Sequence, residues 1–372
     1  MKKKISSRRD FLKNSGIAGL GFWGMRTFLA GGLTSCTTEH LANDRMLIEK
    51  YGALEKDPAG IFDLPPGFSY RVISRRGEQM HDGLITPDKP DGMATFAGRP
   101  GKVILVRNHE LMPDDFGPFG VDGSLIGTVP HEKIYDMGRE GMLSQGGTTT
   151  LVIDESTLEV ERSYLSLAGT IRNCAGGPTP WNSWITCEEY FSVAGRGGFL
   201  KDHGYNFEVP AGEDIRLVDP VPLKEMGRFR HEAVGVDPRT SIVYQTEDVG
   251  DGLIYRFLPN QPGQLHLGGR LQALAVKDQK SCDTRNWKNE SFPVNEPVEA
   301  TWIDLDNVDA PTDDLRLRGF FQGAAVFGRG EGMWFDQNEC YFACTAGGKK
   351  RLGQVFRYIP SPYEGTPREA EQ

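Results

Sequence analysis

Between Glu232 and Ser361 the chain states one pattern twice, and this constrains its fold more than any other feature. The first copy runs Glu232-Ala-Val-Gly-Val-Asp237, Ile242-Val-Tyr-Gln-Thr-Glu-Asp248 and Gly252-Leu-Ile-Tyr-Arg-Phe-Leu-Pro259. The second runs Glu331-Gly-Met-Trp-Phe-Asp336, Cys340-Tyr-Phe-Ala-Cys-Thr345 and Gly353-Gln-Val-Phe-Arg-Tyr-Ile-Pro360. Each reads as three short strands and opens on a glutamate five residues before an aspartate. Repeats of this kind mark stacked or radial β architectures, because one unit cannot bury its apolar face alone. Equivalent positions of neighbouring units then surround a common axis, so a repeated acid becomes a ring of oxygen ligands.

Two further copies lie upstream: Asp91 to Phe96 followed by Lys102 to Glu110, and Gly176 to Trp181 followed by Trp184 to Glu189. The second strands end on Asn-His-Glu, Cys-Glu-Glu, Thr-Glu-Asp and Thr-Ala-Gly. Additional strands are expected at Thr149–Asp154, Val160–Leu167, Tyr205–Val209, Ile215–Val218 and Leu271–Val276. Four strands per unit is the blade of a β-propeller, and alternating apolar residues between Asx, Gly and Pro turns favour strands throughout. The fold class is therefore all-β, with a propeller as the architecture; the alternative is a β-sandwich whose turns resemble one another.

The 372 residues suffice for one large domain, and 46 glycines with 23 prolines suit a turn-rich β protein. A net charge of −9 without any basic block argues against a nucleic-acid partner. Lys277 to Pro297 reads as an insertion loop. At the N-terminus, Ser7-Arg-Arg-Asp-Phe-Leu-Lys13 is a twin-arginine export signal, followed by the weakly apolar run Gly16 to Leu29. Leu33-Thr-Ser-Cys36 has the form of a lipobox, which makes Cys36 a candidate for lipidation, with ordinary cleavage as the alternative. The expected organisation is a signal over residues 1–36, a linker over 37–60 and a β domain over 61–372. Location is then periplasmic, or tethered to the cell envelope through one lipid anchor.

Of six cysteines, Cys340 and Cys344 share a strand face at a separation too long for a disulfide, and Cys174 with Cys282 stays open as a pair. Cys187 precedes Glu188 and Glu189. A thiolate among carboxylates favours a transition metal such as iron, because calcium prefers oxygen alone; the alternative is a small buried apolar residue.

Seven motifs in order then resemble the PhoX-type alkaline phosphatases: Asn108-His-Glu110, Gly146-Gly-Thr-Thr-Thr150, Asn173-Cys-Ala-Gly-Gly177, Thr186-Cys-Glu-Glu189, Arg230-His-Glu232, Thr246-Glu-Asp248 and Arg329-Gly-Glu331. The resemblance covers Pro65 to Pro360. It implies a six-bladed propeller that hydrolyses small phosphate monoesters at a centre of ferric iron (Fe3+) and calcium (Ca2+). By motif, Cys187 is the implied iron ligand and Glu110, Glu188, Glu247 and Glu331 the implied carboxylate ligands, with Asp248, Glu189 and Glu232 as further ones. Arg329 is the implied phosphate grip; Lys349 or Lys350 could add a second cation, the favoured alternative being solvated loop lysines, and the protein is expected to be a monomer. Members continue beyond the position equivalent to Pro360, so the propeller is expected to lack its last blades, with Phe68 to Ile73 as a closing strand. Two other readings are a calcium-centred propeller acting on other esters or lactones, and a non-catalytic surface-binding propeller.

Overall fold

A computed structural model describes residues 50–139 and 142–371. The twin-arginine segment, Cys36 and most of the linker lie outside the described residues. Contacts divide the chain into two units, Met1–Val72 and Ile73–Gln372. In the first, the Asp57 carboxylate accepts the Tyr70 hydroxyl and the N–H groups of Ala59, Ile61 and Phe62. Those donors, Tyr70 first, hold its pKa down at about 2. Phe68 to Ile73 is not a strand, so the closing strand expected there is absent.

The second unit consists of four antiparallel sheets, each made of strands consecutive in sequence. The first joins β1 (Pro90–Ala97), β2 (Lys102–His109), β3 (Gly146–Asp154) and β4 (Val160–Thr170). The second joins β5 (Asn173–Pro178), β6 (Ser183–Glu188) and β7 (Asn206–Pro210). The third contains β8 (His231–Val236), β9 (Val243–Glu247), β10 (Ile254–Pro259), β11 (Gly269–Val276) and β12 (Ala300–Asp304). The fourth has β13 (Gly330–Asp336), β14 (Glu339–Cys344) and β15 (Gln354–Tyr358). Among the described residues the sheets hold four, three, five and three strands, not a uniform four. Ile215–Val218 stays irregular, whereas β12 and the helix α1 (Leu315–Gln322) come from segments without a clear period in the sequence.

Local chemistry accounts for the strands. Val243 to Glu247 is buried on both faces although only Val243 and Tyr244 are apolar; Gln245, Thr246 and Glu247 are buried with hydrogen-bond partners. In β14, Cys340, Phe342 and Cys344 point inward while Tyr341 and Ala343 alternate outward. The two-residue turn before it places Gln337 and Asn338 at φ 50° and 65°, the left-handed pair that a tight hairpin requires.

The sheets stand side by side, unlike the two facing layers of a sandwich: β1 lies beside β5, β5 beside β8, and β8 beside β13. No closed ring of sheets is formed among the described residues. Separate apolar clusters fill the gaps. Phe96, Ile104 and Val106 meet Trp184, Phe207 and Val209 between the first two sheets. Ile185 and Cys187 meet Val234, Val243 and Tyr255 between the next two. Ala233, Tyr244 and Ile254 meet Met333, Phe342 and Cys344 between the last two. Each fully buried side chain of this size contributes about 1.5–3 kcal/mol. The inward face of β14 is thus covered, while Val355 on the outer face of the fourth sheet and Ile359 just beyond it are exposed. The polar tail folds back: Glu364 accepts from Arg256, Tyr244, Tyr358 and the Ser361 N–H.

Close approach of the first strands depends on glycine. A Cβ on Gly177 of β5 would lie 2.1 Å from the Val234 carbonyl oxygen of β8. Gly177→Ala is therefore expected to destabilise the protein by about 1–3 kcal/mol through overpacking. Gly332→Ala, whose Cβ would meet nothing within 4 Å, should leave the denaturation midpoint nearly unchanged. Equal midpoints in urea would show that the sheets are not held this tightly.

Candidate active site

The same irregularity interrupts all four first hairpins. Pairing slips between Pro90 and Met93, Asn173 and Gly176, His231 and Val234, and Gly330 and Met333. A bulge of this kind re-aims the side chain within it. The residues so placed are Asp91, Cys174, Glu232 and Glu331. On each facing strand, the residue one past the end is Glu110, Glu189, Asp248 or Thr345. Its N–H donates to the carbonyl of the residue preceding the first strand: Lys89 at 3.0 Å, Arg172 at 3.0 Å, Arg230 at 3.2 Å and Arg329 at 2.9 Å. Every hairpin thus offers a bulge group, an exit group and a cation at one end.

These groups feel one another. Burial pushes the Glu189 carboxyl up to about 7, against the pull of Arg172 and with Asp248, Glu110 and Glu331 adding to the push. Glu232 is raised further by burial, then by Glu331, Glu189 and Asp248. Glu331 is raised by burial and by Asp248 and Asp91 against Arg329. Asp91, at the open rim, is pushed up to about 6 by the surrounding protein and by Glu110. Two arginines offset the crowding. Arg172 donates through Nε and Nη2 to Glu110 Oε1 at 3.0 and 2.5 Å and through Nη2 to Glu189 Oε2 at 2.5 Å. Arg329 forks onto Asp248 at 2.8 and 2.5 Å and stands 3.5 Å from Glu331.

Cys174, Glu189 and Glu232 bring one sulfur and two carboxylate oxygens within 4.8 Å of one another. Burial raises the Cys174 thiol well above its ordinary range, with Glu232 adding to the shift, so a cation is needed to draw out its thiolate. A sulfur beside two carboxylates, in a set of mutually repelling acids, fits a transition metal; the oxygen-only remainder fits a hard cation.

The structure sorts the residues singled out from the sequence. Glu110, Glu189, Glu232, Asp248, Glu331 and Arg329 come together, joined by Asp91, Arg172 and Cys174. Cys187 corrects the sequence reading: both Cys174 and Cys187 border the apolar cluster between the second and third sheets, but the thiol grouped with the carboxylate oxygens is that of Cys174. Glu188 also lies behind the site. Its carboxylate is wholly buried and accepts from the N–H groups of Ile171, Gly204 and Tyr205 and from His203 Nδ1 at 2.7 Å. Glu247 is likewise buried, accepting from the Leu253 N–H and the Tyr255 hydroxyl, with Arg316 at 3.9 Å. His109 and His231 bond Asp88, Thr149 and Gly227, and burial lowers both to about 3. Lys349 and Lys350 are exposed in the turn after β14. Asp91, Cys174 and Arg172 were missed because no period marks a bulge; the cation two residues ahead of each bulge group was the available signal.

The sequence matches the family model described as alkaline phosphatase PhoX over residues 49–163 and 154–370. The chain belongs to the PhoX alkaline phosphatase family. Among solved structures, it is similar to Pseudomonas fluorescens PhoX in complex with vanadate, a transition-state analogue, at 17% identity and a TM-score of 0.53, over 79% of this chain and 70% of that one. That likeness concerns the fold. A protein of unknown function from Dyadobacter fermentans matches at 10% identity over 79% of this chain and 87% of that one, with a TM-score of 0.29, too slight to bear on the argument. No curated protein matches.

Raised carboxyls make metal-stripped protein pH-sensitive. With Glu189 titrating at about 7, the folded state binds more protons than the unfolded one at intermediate pH, so stability falls as pH rises through that window. The penalty is absent below the unfolded value and complete above the folded one. Thermal melts of chelator-treated protein should show a lower Tm at pH 8 than at pH 5.5, with the difference reduced in Glu189→Gln. A Tm independent of pH across this range would contradict the assigned charge crowding.

Proposed function

We propose that this chain is a metal-dependent phosphomonoesterase that releases phosphate from organic phosphoesters outside the cytoplasm. The observation that carries this reading is the convergence of Cys174, Glu189 and Glu232 with Asp91, Glu110, Asp248 and Glu331 beside two arginines. Cys174, Glu189 and Glu232 would hold iron, and the oxygen-only acids would hold calcium. When bound, such ions supply Lewis-acid stabilisation of the charge that phosphoryl transfer spreads over the equatorial oxygens. Arg329, half exposed and fixed by its fork on Asp248, would orient the phosphate through its remaining Nη1 donors. The buried thiol favours this over a calcium-only centre acting on other esters, which has no use for sulfur.

In this reading the four sheets are blades of a propeller of the six-bladed family type, and the acids line the axis end of their first strands. Export follows the twin-arginine route, which carries folded, metal-loaded protein, and Cys36 is the lipid attachment site. The mature protein acts as a monomer on small phosphoesters.

Two cysteine variants separate this assignment from the one suggested by motif alone. Cys174→Ser should lose iron, measured by elemental analysis, and lower phosphomonoesterase activity by more than roughly 100-fold, beyond what outer ligand partners typically contribute. Cys187→Ala should keep its iron and most of its activity. The opposite pattern would return the iron to Cys187, and wild-type protein that contains iron and calcium without hydrolysing any phosphomonoester would defeat the proposed activity.

A further inference from the structure

Four cations occupy equivalent places, one ahead of each first strand, yet they are not used alike. Lys89 turns its Nζ to Asp115 at 2.6 Å, and Arg230 turns its Nη1 to Asp313 at 2.6 Å, both partners lying outside the acid set. Arg172 and Arg329 alone among the four aim their guanidinium groups at site carboxylates. We propose that Arg172 is a second substrate-binding arginine, gripping the same tetrahedral oxyanion as Arg329 from the other side of the acid cluster. This deepens the phosphatase reading and rests on it.

Arg172 repeats Arg329 feature by feature. Both have left-handed backbones, at φ 45° and 58°, a conformation disfavoured for residues with a side chain and shared by Lys89. Each carbonyl accepts the N–H of its own hairpin's exit residue, Glu189 or Thr345. Each guanidinium binds the exit acid of the preceding hairpin, Glu110 or Asp248. Both use Nε and Nη2 for these bonds, and Nη1 makes no hydrogen bond among the described residues. The side chains are 35% and 49% exposed, so an incoming anion can reach them. Their strands, β5 and β13, flank β8, which carries Glu232 between them. An anion over Glu232 would therefore meet the unbonded Nη1 of each arginine from two sides, a pair of charged donors suited to the non-bridging oxygens of a phosphoryl group.

The neighbourhood fixes Arg172 in advance. Its N–H donates to the Leu111 carbonyl at 3.0 Å, and the preceding Ile171 N–H donates to Glu188 at 3.0 Å. The following Asn173 is held by Thr170 at 2.6 Å and Thr186 at 3.0 Å. Glu188 is locked in turn by His203, whose far side meets Asp136 at 3.1 Å. A strained backbone braced on both sides keeps the guanidinium in position without reorganisation on binding.

The alternative role, a plain counter-ion for Glu110 and Glu189, predicts a different result. Arg172→Gln and Arg172→Lys would be made in the full-length, metal-loaded protein. Four quantities would be measured: metal content, KM and kcat for p-nitrophenyl phosphate, inhibition by orthophosphate, and calorimetric binding of orthophosphate. The expected result for Arg172→Gln is unchanged iron and calcium, with KM and the orthophosphate Kd raised roughly tenfold or more, as befits a lost charged hydrogen bond. Arg172→Lys should recover part of the affinity. Unchanged phosphate affinity with intact metal overturns the proposal, as does metal loss in Arg172→Gln that Arg172→Lys reverses. A wild type that binds orthophosphate without hydrolysing esters sinks the hydrolase reading alone, since the calorimetry still tests Arg172. A wild type that binds none overturns both.

Discussion

Repulsion among Glu189, Glu232, Asp248 and Glu331 is the interaction that the rest of the structure has to answer. Crowded carboxylates remove charge by taking up protons, by pairing with a cation, or by binding a metal. All three responses can be read here. Raised carboxyls record the first and Arg172 with Arg329 the second, while the Cys174 thiol set between Glu189 and Glu232 prepares the third. Such a site needs rigid backing, because mobile strands would simply relieve the strain by moving apart. Buried anchors behind it supply that rigidity. Burial alone would lower the His203 pKa, but Glu188 and Asp136 outweigh it and raise it to about 9. The result is a charged imidazole fixed between two carboxylates that themselves accept several backbone N–H groups.

The repeat is a way of building this arrangement from one local device. A bulge turns one side chain toward the common end, an N–H to carbonyl bond closes the hairpin mouth, and the cation before the strand is carried along. Glycines at the first strands let neighbouring hairpins approach, so four copies of the device face one region. Chemistry then varies by substitution within a fixed frame: the bulge position holds Asp91, Cys174, Glu232 or Glu331. A sulfur in one of four otherwise acidic slots changes the preferred metal without disturbing the backbone.

The sequence pattern carried the hairpins well. All four inner hairpins, the third strands of the last two sheets, and the acid-rich strand ends were legible from apolar runs and turn residues. What escaped was parity. Glu188 and Glu189 are adjacent, but successive residues on a strand point to opposite sides, so one is sealed against His203 while the other faces Arg172. Glu247 and Asp248 divide in the same way, toward Tyr255 and toward Arg329. Cys187 and Cys174 differ for a related reason, because the bulge at Cys174 redirects a residue that regular pairing would have kept in register. Bulges leave no periodic trace, and the segments of β12 and α1 show no clear period. The twin-arginine motif expected to act as an export signal lies outside the described residues.

The fourth hairpin breaks the pattern in a way that bears on the chemistry. Its exit residue is Thr345, where the other three have Glu110, Glu189 and Asp248. Arg172 is therefore held between two exit acids, its own and its predecessor's, whereas Arg329 is held firmly by Asp248 alone, with Glu331 at the longer distance of 3.5 Å. Their exposure follows the same order, 35% for Arg172 and 49% for Arg329. A guanidinium committed to one carboxylate keeps more of its donors for a ligand than one shared between two. The neutral threonine thus leaves Arg329 with one close carboxylate fewer than Arg172. In the phosphatase reading proposed above, an anion would therefore meet less repulsion on the side of Arg329 than on the side of Arg172.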